Sequence, residues 1–421
     1  MALEPVDIFP YELKRLIYDA SDLSTLKALR CVSKAWASVG ADLLLLPTFS
    51  LRSYAHDLSR LLSISRSAVV GPRAAHTVST LIFQSNGWDP RYFRNIVCNR
   101  HELRREYETL DFVPTEAEQQ ALAELDAVAA QHDLDEKLAR DEERLVRALQ
   151  AVPNVHSITI ACENPFRHRL LRKVWDEYAL AAYHRSVHPQ TEQLWRILRA
   201  ARSAGLHILH FRHQQLLSPF FLDDALSLPP GALGSLSRLH SLHLDISDLA
   251  GVFSRSAQAR DRLRDLIASA PLLTTLSISF ESLDTVPLTF LPLGSSSSKL
   301  HTLTLSSPLI HPPTFLSYLS SHPFLTRLRL RSASLTHGSW HAFLSDLRSL
   351  LGAQLQAFQL SGVLRGAEGT DGEGETWMLW PFYDEEWRVM EGRGEKASLI
   401  ERFVIKGEKW PMGLEHGVAY L

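Results

Sequence analysis

Residues 300–330 read LHTLTLSSPLIHPPTFLSYLSSHPFLTRLRL. Leu300, Leu303 and Leu305 open this stretch in the order apolar, two residues, apolar, one residue, apolar, and Leu325, Leu328 and Leu330 close it in the same way. The last two members of each triplet stand two apart, so they share one face of a β-strand. Thr302 and Thr304, and later Arg327, Arg329 and Arg331, then share the opposite face. Between the triplets Thr314 to Ser321 reads as helix, and Pro323 stops it and turns the chain. The stretch reads as strand, helix, strand.

The same triplet recurs outward in both directions. Upstream it is Val78-Leu81-Phe83, Val155-Ile158-Ile160, Leu206-Leu209-Phe211, Leu239-Leu242-Leu244 and Leu273-Leu276-Ile278; downstream it is Leu355-Phe358-Leu360 and Ile400-Phe403-Ile405. Leu46-Phe49-Leu51 reads as a degenerate first copy. Helix-like stretches fall between strands at Gln190 to Ala204, Arg260 to Ala270 and Ser339 to Leu351. A unit of one strand and one helix buries little by itself, so such units are expected to stack on a shared core. Scattered strands of ordinary α/β domains are the alternative, because the steps between triplets are unequal.

The chain has 421 residues, 45% hydrophobic and 22% charged, which is the balance of folded rather than disordered protein. A net charge of −3 argues against a nucleic-acid binder held by phosphate neutralisation. Cys31, Cys98 and Cys162 are odd in number and far apart, which predicts buried thiols in a reducing compartment. The N-terminus lacks the basic start of a signal peptide, and the apolar cluster Leu43 to Leu46 is far shorter than a membrane span. The expectation is an intracellular protein, cytoplasmic or nuclear or both, with no membrane partner.

Ahead of the triplets, three short helices are written into the first 47 residues. Pro10 suits a helix start, with Leu13, Leu16 and Ile17 as its stripe; Leu23, Leu26 and Leu29 mark a second helix; Val32, Ala35, Trp36 and Val39 mark a third. So small a unit cannot bury all of these side chains within itself. Phe9-Pro10-x-Glu12-Leu13, then Ile17, then Leu26-x-x-Leu29-x-x-Val32-Ser33-Lys34-x-Trp36 resembles the F-box, with Phe9 where leucine is usual and a compressed segment from Tyr18 to Leu23. The resemblance implies docking on the Skp adaptor of a cullin–RING ubiquitin ligase. Phe9, Pro10, Leu13, Ile17, Leu26, Leu29, Val32 and Trp36 would then face the adaptor or set the shape of the hook. A plain helical cap at the N-terminus is the alternative. An F-box followed by such triplets resembles the F-box leucine-rich-repeat proteins, including divergent sets from filamentous fungi.

The resulting expectation is an α+β chain, a small three-helix F-box followed by an irregular α/β leucine-rich-repeat solenoid. It divides as F-box (1–47), start of the solenoid (48–87), a helical acidic insertion (88–150), the repeats (151–365), and a flexible acidic loop with an aromatic C-terminal cap (366–421). The insertion, with a capping box at Thr115-x-x-Glu118, reads as exposed projecting helices, either a partner-binding arm or a solvated excursion. Trp377, Trp380, Phe382, Tyr383, Trp387 and Trp410 read as the cap or as a ligand-gripping surface.

Residues alternating with the triplets define the face that would bind a client protein. Its middle is rich in serine and threonine, with His210 and His243 upstream. Arg327, Arg329 and Arg331 then align three guanidinium groups, with Arg402 and Lys406 placed near them. Such a row recognises an acidic or phosphorylated segment of a client, or is simply solvated, or docks the acidic loop at 366–375.

No phosphate-cradling glycine loop or nucleophile elbow is present. Neither His184-x-x-x-His188 nor the His207, His210, His213 group makes a metal site. The chain is expected to be no enzyme and to need no cofactor or metal. It would be the substrate-receptor subunit of an SCF-type ligase; the alternatives are a repeat scaffold not engaged in ubiquitin ligation and a hydrolase or metal enzyme hidden in an α/β body.

Overall fold

The structure is a computed structural model, and it describes residues 9–21, 23–39, 47–52, 54–66, 76–85, 88–100, 116–138, 141–183, 187–222, 236–282, 284–292, 299–367, 376–379, 395–410 and 418–420. The chain forms two compact units, Met1–Ile208 and Leu209–Leu421.

In the first unit, helices α1 (Tyr11–Asp19), α2 (Leu23–Arg30) and α3 (Lys34–Val39) precede strand β1 (Thr48–Leu51). Pro10 stands at the N-cap of α1, and Ser33 caps α3 by accepting the Trp36 amide at 3.3 Å. Strands β1, β2 (Thr80–Gln84) and β3 (Ser157–Ala161) pair in parallel, with Phe49 opposite Leu81 and Leu81 opposite Ile158. Between them run α4 (Tyr54–Arg66), α5 (Pro90–Arg100), α6 (Glu116–Leu138) and α7 (Glu142–Gln150), followed by α8 (Arg169–Tyr183) and α9 (Val187–Ser203).

Of the region expected to project as an acidic arm, α5 and α7 pack inward, whereas α6 buries Ala121 and Leu125 and leaves most of its described side chains exposed or half-exposed. Phe93, Val97, Leu125, Ala148 and Leu149 are buried, and α7 packs on α4 and α9. Trp88, Phe93, Phe166 and Trp175 interlock, with Phe93 stacked on Phe166 at 5.1 Å. Negative charge on the outer side of a helix is compatible with an apolar inner stripe, and the charge count masked that stripe. Thr115 of the expected capping box lies outside the described residues.

In the second unit, β4 (His210–Leu217), β5 (Ser241–Ser247), β6 (Thr275–Glu281), β8 (Thr302–Ser306), β10 (Arg327–Arg331) and β12 (Ala357–Arg365) pair in parallel in that order; β7 is the short Val286–Pro287. Register is set the same way each time. The carbonyls of Leu209, His240, Thr274, His301 and Thr326 each accept two successive amides of the following strand, at 2.8–3.1 Å. Each such carbonyl uses both of its lone pairs.

A left-handed residue follows β8 and β10, Ser307 at φ 57° and Ser332 at 48°, and lies inside β4 and β12, Gln215 at 57° and Gly362 at 77°. Beyond the turns, β7, β9 (Pro308–Ile310), β11 (Ser334–Leu335) and the end of β12 form a second short parallel row. Strand β13 (Thr376–Leu379) pairs antiparallel to β12, and β14 (Val418–Tyr420) pairs parallel to β13. Helices α10 (Val252–Arg255), α11 (Ala257–Ala268), α12 (Pro312–Ser320), α13 (Trp340–Leu351) and α14 (Glu395–Lys406) complete the unit.

The fold class is therefore α/β, and the expected α+β arrangement of a three-helix F-box followed by a leucine-rich-repeat solenoid is corrected. Triplet spacing reports where strands begin, not how they are joined. In-register parallel pairing joins them into hydrogen-bonded sheet with helices in the connections. The last triplet is a second correction. Ile400 and Phe403 belong to helix α14, where a spacing of three serves a helical stripe as well as a strand.

The other triplets supply the core. Leu81, Phe83, Ile158, Ile160, Leu276, Ile278, Leu303, Leu328, Leu330 and Phe358 are all fully buried. Phe221, Phe253, Phe280 and Phe290 form a column with centroids 5.0, 5.0 and 5.6 Å apart. Each aromatic contact of this kind adds roughly 0.5–1.5 kcal/mol to the area term. Residues alternating with these are half-exposed, so one sheet face is packed and the other open. Parallel sheets are ordinarily covered on both faces, and the open face is where a ligand has access.

Candidate functional site

Two surfaces stand out, one in each unit. In the first, Tyr18, Leu26, Trp36 and Val39 make a small core with Leu29 partly buried against it. Tyr18 donates its hydroxyl proton to the Trp36 carbonyl at 2.7 Å, and the Lys14 ammonium lies 5.9 Å from the Trp36 ring. This core ties α1 to α3 and occupies their inner side. Phe9, Tyr11, Leu13, Leu16, Ile17 and Val32 stay exposed, Leu16 at 63% and Phe9 at 46%, although Phe9 also sets its ring edge-on to Trp36 at 6.2 Å.

The eight residues singled out from the sequence thus divide. Phe9, Leu13, Ile17 and Val32 form an accessible apolar surface with Pro10 exposed beside it, whereas Leu26, Leu29 and Trp36 hold the hook together. Tyr18 was missed, because a tyrosine in a helical stripe carries no sign of the carbonyl its hydroxyl will reach. Cys31, expected to be buried, is exposed.

In the second unit the open sheet face presents cross-strand rows. One row runs Arg212, His243, Ser277, Thr304, Arg329 and Gln359, each opposite the next. The row before it runs His210, Ser241, Thr275, Thr302 and Arg327; the row after it runs Asp245, Ser279, Ser306, Arg331 and Ser361. Neighbouring strands stand about 4.8 Å apart, so a floor of seven small hydroxyl residues lies between two charged ends.

At the upstream end Arg212 and Asp245 approach to 3.8 Å. Burial raises the Asp245 carboxyl more than the Arg212 guanidinium lowers it. His243 is lowered by burial, then by the charges of Arg212 and His210. Glu281 is raised by burial and by Asp245, against the Ser247 hydroxyl. Arg212, Asp245 and Glu281 extend the site beyond His210 and His243; their alternation with buried Phe211, Leu244 and Phe280 is the signal that places them on the open face.

At the downstream end Arg327, Arg329 and Arg331 share the open face of β10, while Leu328 and Leu330 are buried on the other. Arg329 Nε donates to Gln359 Oε1 at 2.6 Å. Their in-register neighbours are Thr302, Thr304 and Ser306 on one side and Ala357, Gln359 and Ser361 on the other, none of them acidic. No family model matches the chain, and no curated protein is similar to it in sequence.

Arg402 and Lys406 do not extend the arginine row as a strand. They lie on helix α14, which packs on α13 and β12, and Arg402 faces Glu408 at 4.0 Å. Trp410 packs on His341 and Phe403, at 4.5 and 4.9 Å. Trp380, Phe382, Tyr383, Trp387 and the acidic residues 368–375 lie outside the described residues, as does His184. Among the described residues no group of three His, Cys, Asp or Glu side chains could hold a metal, and no helix is long and apolar enough to cross a membrane.

Proposed function

We propose that this chain is a substrate receptor of a cullin–RING ubiquitin ligase: the N-terminal hook docks on the Skp adaptor, and the open sheet face of the second unit holds a client. The observation that carries the reading is the division of labour in α1–α3. A hook that buries Tyr18 and Trp36 yet leaves five apolar residues of its first helix and the preceding turn in solvent has the character of an interface awaiting a partner. The F-box resemblance of Phe9 to Trp36 says which partner that is. The arginine strand, which sets three guanidinium groups on one open strand face, fits an acidic or phosphorylated client segment. The chain's part in catalysis is then to bring a client lysine close to the ubiquitin-charged enzyme.

The test is co-purification of the full chain with recombinant Skp adaptor, using Leu16→Glu/Ile17→Glu as the control. Both residues are exposed, so the melting temperature is expected to hold within a few degrees while adaptor binding is lost. A folded wild-type chain that leaves the adaptor behind overturns the reading. A Trp36→Ala control would be ambiguous, since removing that buried ring takes the hook apart.

A further inference from the structure

A cleft of about 670 Å³ opens in the second unit, away from the residues used above. Its walls are the 3-10 turn Leu288–Phe290 with Leu291 and Pro292, strand β9 at Leu309, and helix α12 at Phe315 and Tyr318. The volume falls within the range of small-molecule sites, and such sites combine apolar walls with a few placed polar groups.

Two polar features restrict what fits. Tyr318 lines the cleft and is only 3% exposed; among the described residues its hydroxyl makes no hydrogen bond, and it is not one of the fully sealed polar atoms, so it stays reachable. Buried tyrosine hydroxyls ordinarily find a partner, and burial raises this phenol, so the proton stays on it. The second feature is Arg264, the one Arg or Lys among the described lining residues. Its guanidinium donates to Asp261 at 2.6 Å and twice to the Thr289 carbonyl, at 2.7 and 3.1 Å. Its charge is thus met by Asp261 and the Thr289 carbonyl, so the described lining residues leave no Arg or Lys side chain uncompensated for an anion.

We infer that this cleft is a binding site for a neutral, lipid-like ketone or alcohol, whose oxygen meets the Tyr318 hydroxyl and whose hydrocarbon fills the space between Leu288, Leu291, Leu309 and Phe315. The site is independent of adaptor docking and of the arginine strand. It makes the second unit a receptor for a small molecule as well.

Isothermal titration of the full chain with 2-decanone tests this, with decanoate as the charged comparator. Saturable one-to-one binding of the ketone is expected. Tyr318→Phe should weaken it about five- to tenfold, the size of one hydrogen bond. Thr314→Trp and Thr336→Trp, both at exposed lining positions, should each abolish it without moving the thermal transition. Absence of saturable binding, or full binding in both tryptophan variants, overturns the site. Decanoate binding more tightly than the ketone overturns the neutral class.

Discussion

His213 sits on the packed face of β4 with no exposed surface; its Nδ1 lies 3.0 Å from the Gln214 carbonyl, and Nε2 has no partner among the described residues. Burial pushes its pKa down to about 4, against a smaller upward push from the Gln214 carbonyl. The unfolded imidazole takes a proton near pH 6.5 and the native one only near 4, so the unfolded state binds more protons in between. Stability from this group is complete above pH 6.5, is lost as pH falls to 4, and loses no more below that. The full loss is on the order of 3 kcal/mol. His322 shifts in the same direction through burial, while Asp245, Glu281 and Glu401, all raised by burial, work oppositely. Urea unfolding at pH 7, 5.5 and 4 is therefore expected to show a steeper acid loss in the wild type than in His213→Leu. Parallel curves would refute the assignment. Gly362 makes a second case at this scale. It combines φ 77° with a site where a Cβ would collide with Ser332 Oγ. Gly362→Ala should cost at least 1 kcal/mol, read as a lowered urea midpoint.

At the scale of elements, strand β10 is the clearest instance of a segment shaped by two demands. Leu328 and Leu330 are held in the core, so Arg327, Arg329 and Arg331 are driven onto the open face together. Like charges aligned on one strand repel, and the in-register neighbours of this row are hydroxyl, amide and alanine side chains. Replacing all three by alanine is expected to leave the melting temperature unchanged or slightly higher. It should also reduce the affinity of a phosphoserine-rich acidic peptide more than tenfold in fluorescence anisotropy, and flatten its salt dependence. Equal affinity in the variant would mean that the row is only solvated. The hook makes the complementary case. Its three helices are so short that a single cluster around Trp36 organises them, and Trp36→Ala should cost about 3–5 kcal/mol of local stability.

At the scale of the whole molecule, the apolar surface of the hook proposed to meet the adaptor belongs to the first unit, and the arginine strand and the apolar cleft belong to the second. Interactions made by separate surfaces with no shared residues are expected to be additive. Leu16→Glu/Ile17→Glu should abolish adaptor binding and leave peptide and ketone affinity intact, and the arginine-to-alanine variant should do the reverse for adaptor and peptide. A loss of both in either variant, with the fold preserved by circular dichroism, would show that the surfaces are coupled.

Much of this was legible in the amino-acid sequence. The triplets located β2, β3, β5, β6, β8 and β10 and named their buried side chains, because a period of two together with full burial admits few other readings. The hook helices and the stretches that became α11, α12 and α13 were legible from apolar residues at helical spacing and from the prolines and serines at their ends. The sequence by itself therefore determined most of the strands and helices, the triplet at Ile400 and Phe403 excepted, and which side of those strands is apolar. It could not decide the fold class, since parallel pairing is made by backbone groups that every residue shares. Nor could it decide which apolar residues of the hook are interface and which are core, a matter of which side chains reach Trp36 across α1 and α3. The cleft at Tyr318 came from tertiary structure alone: its walls lie at 264, 288–292, 309–318 and 336, and only folding brings them around one space.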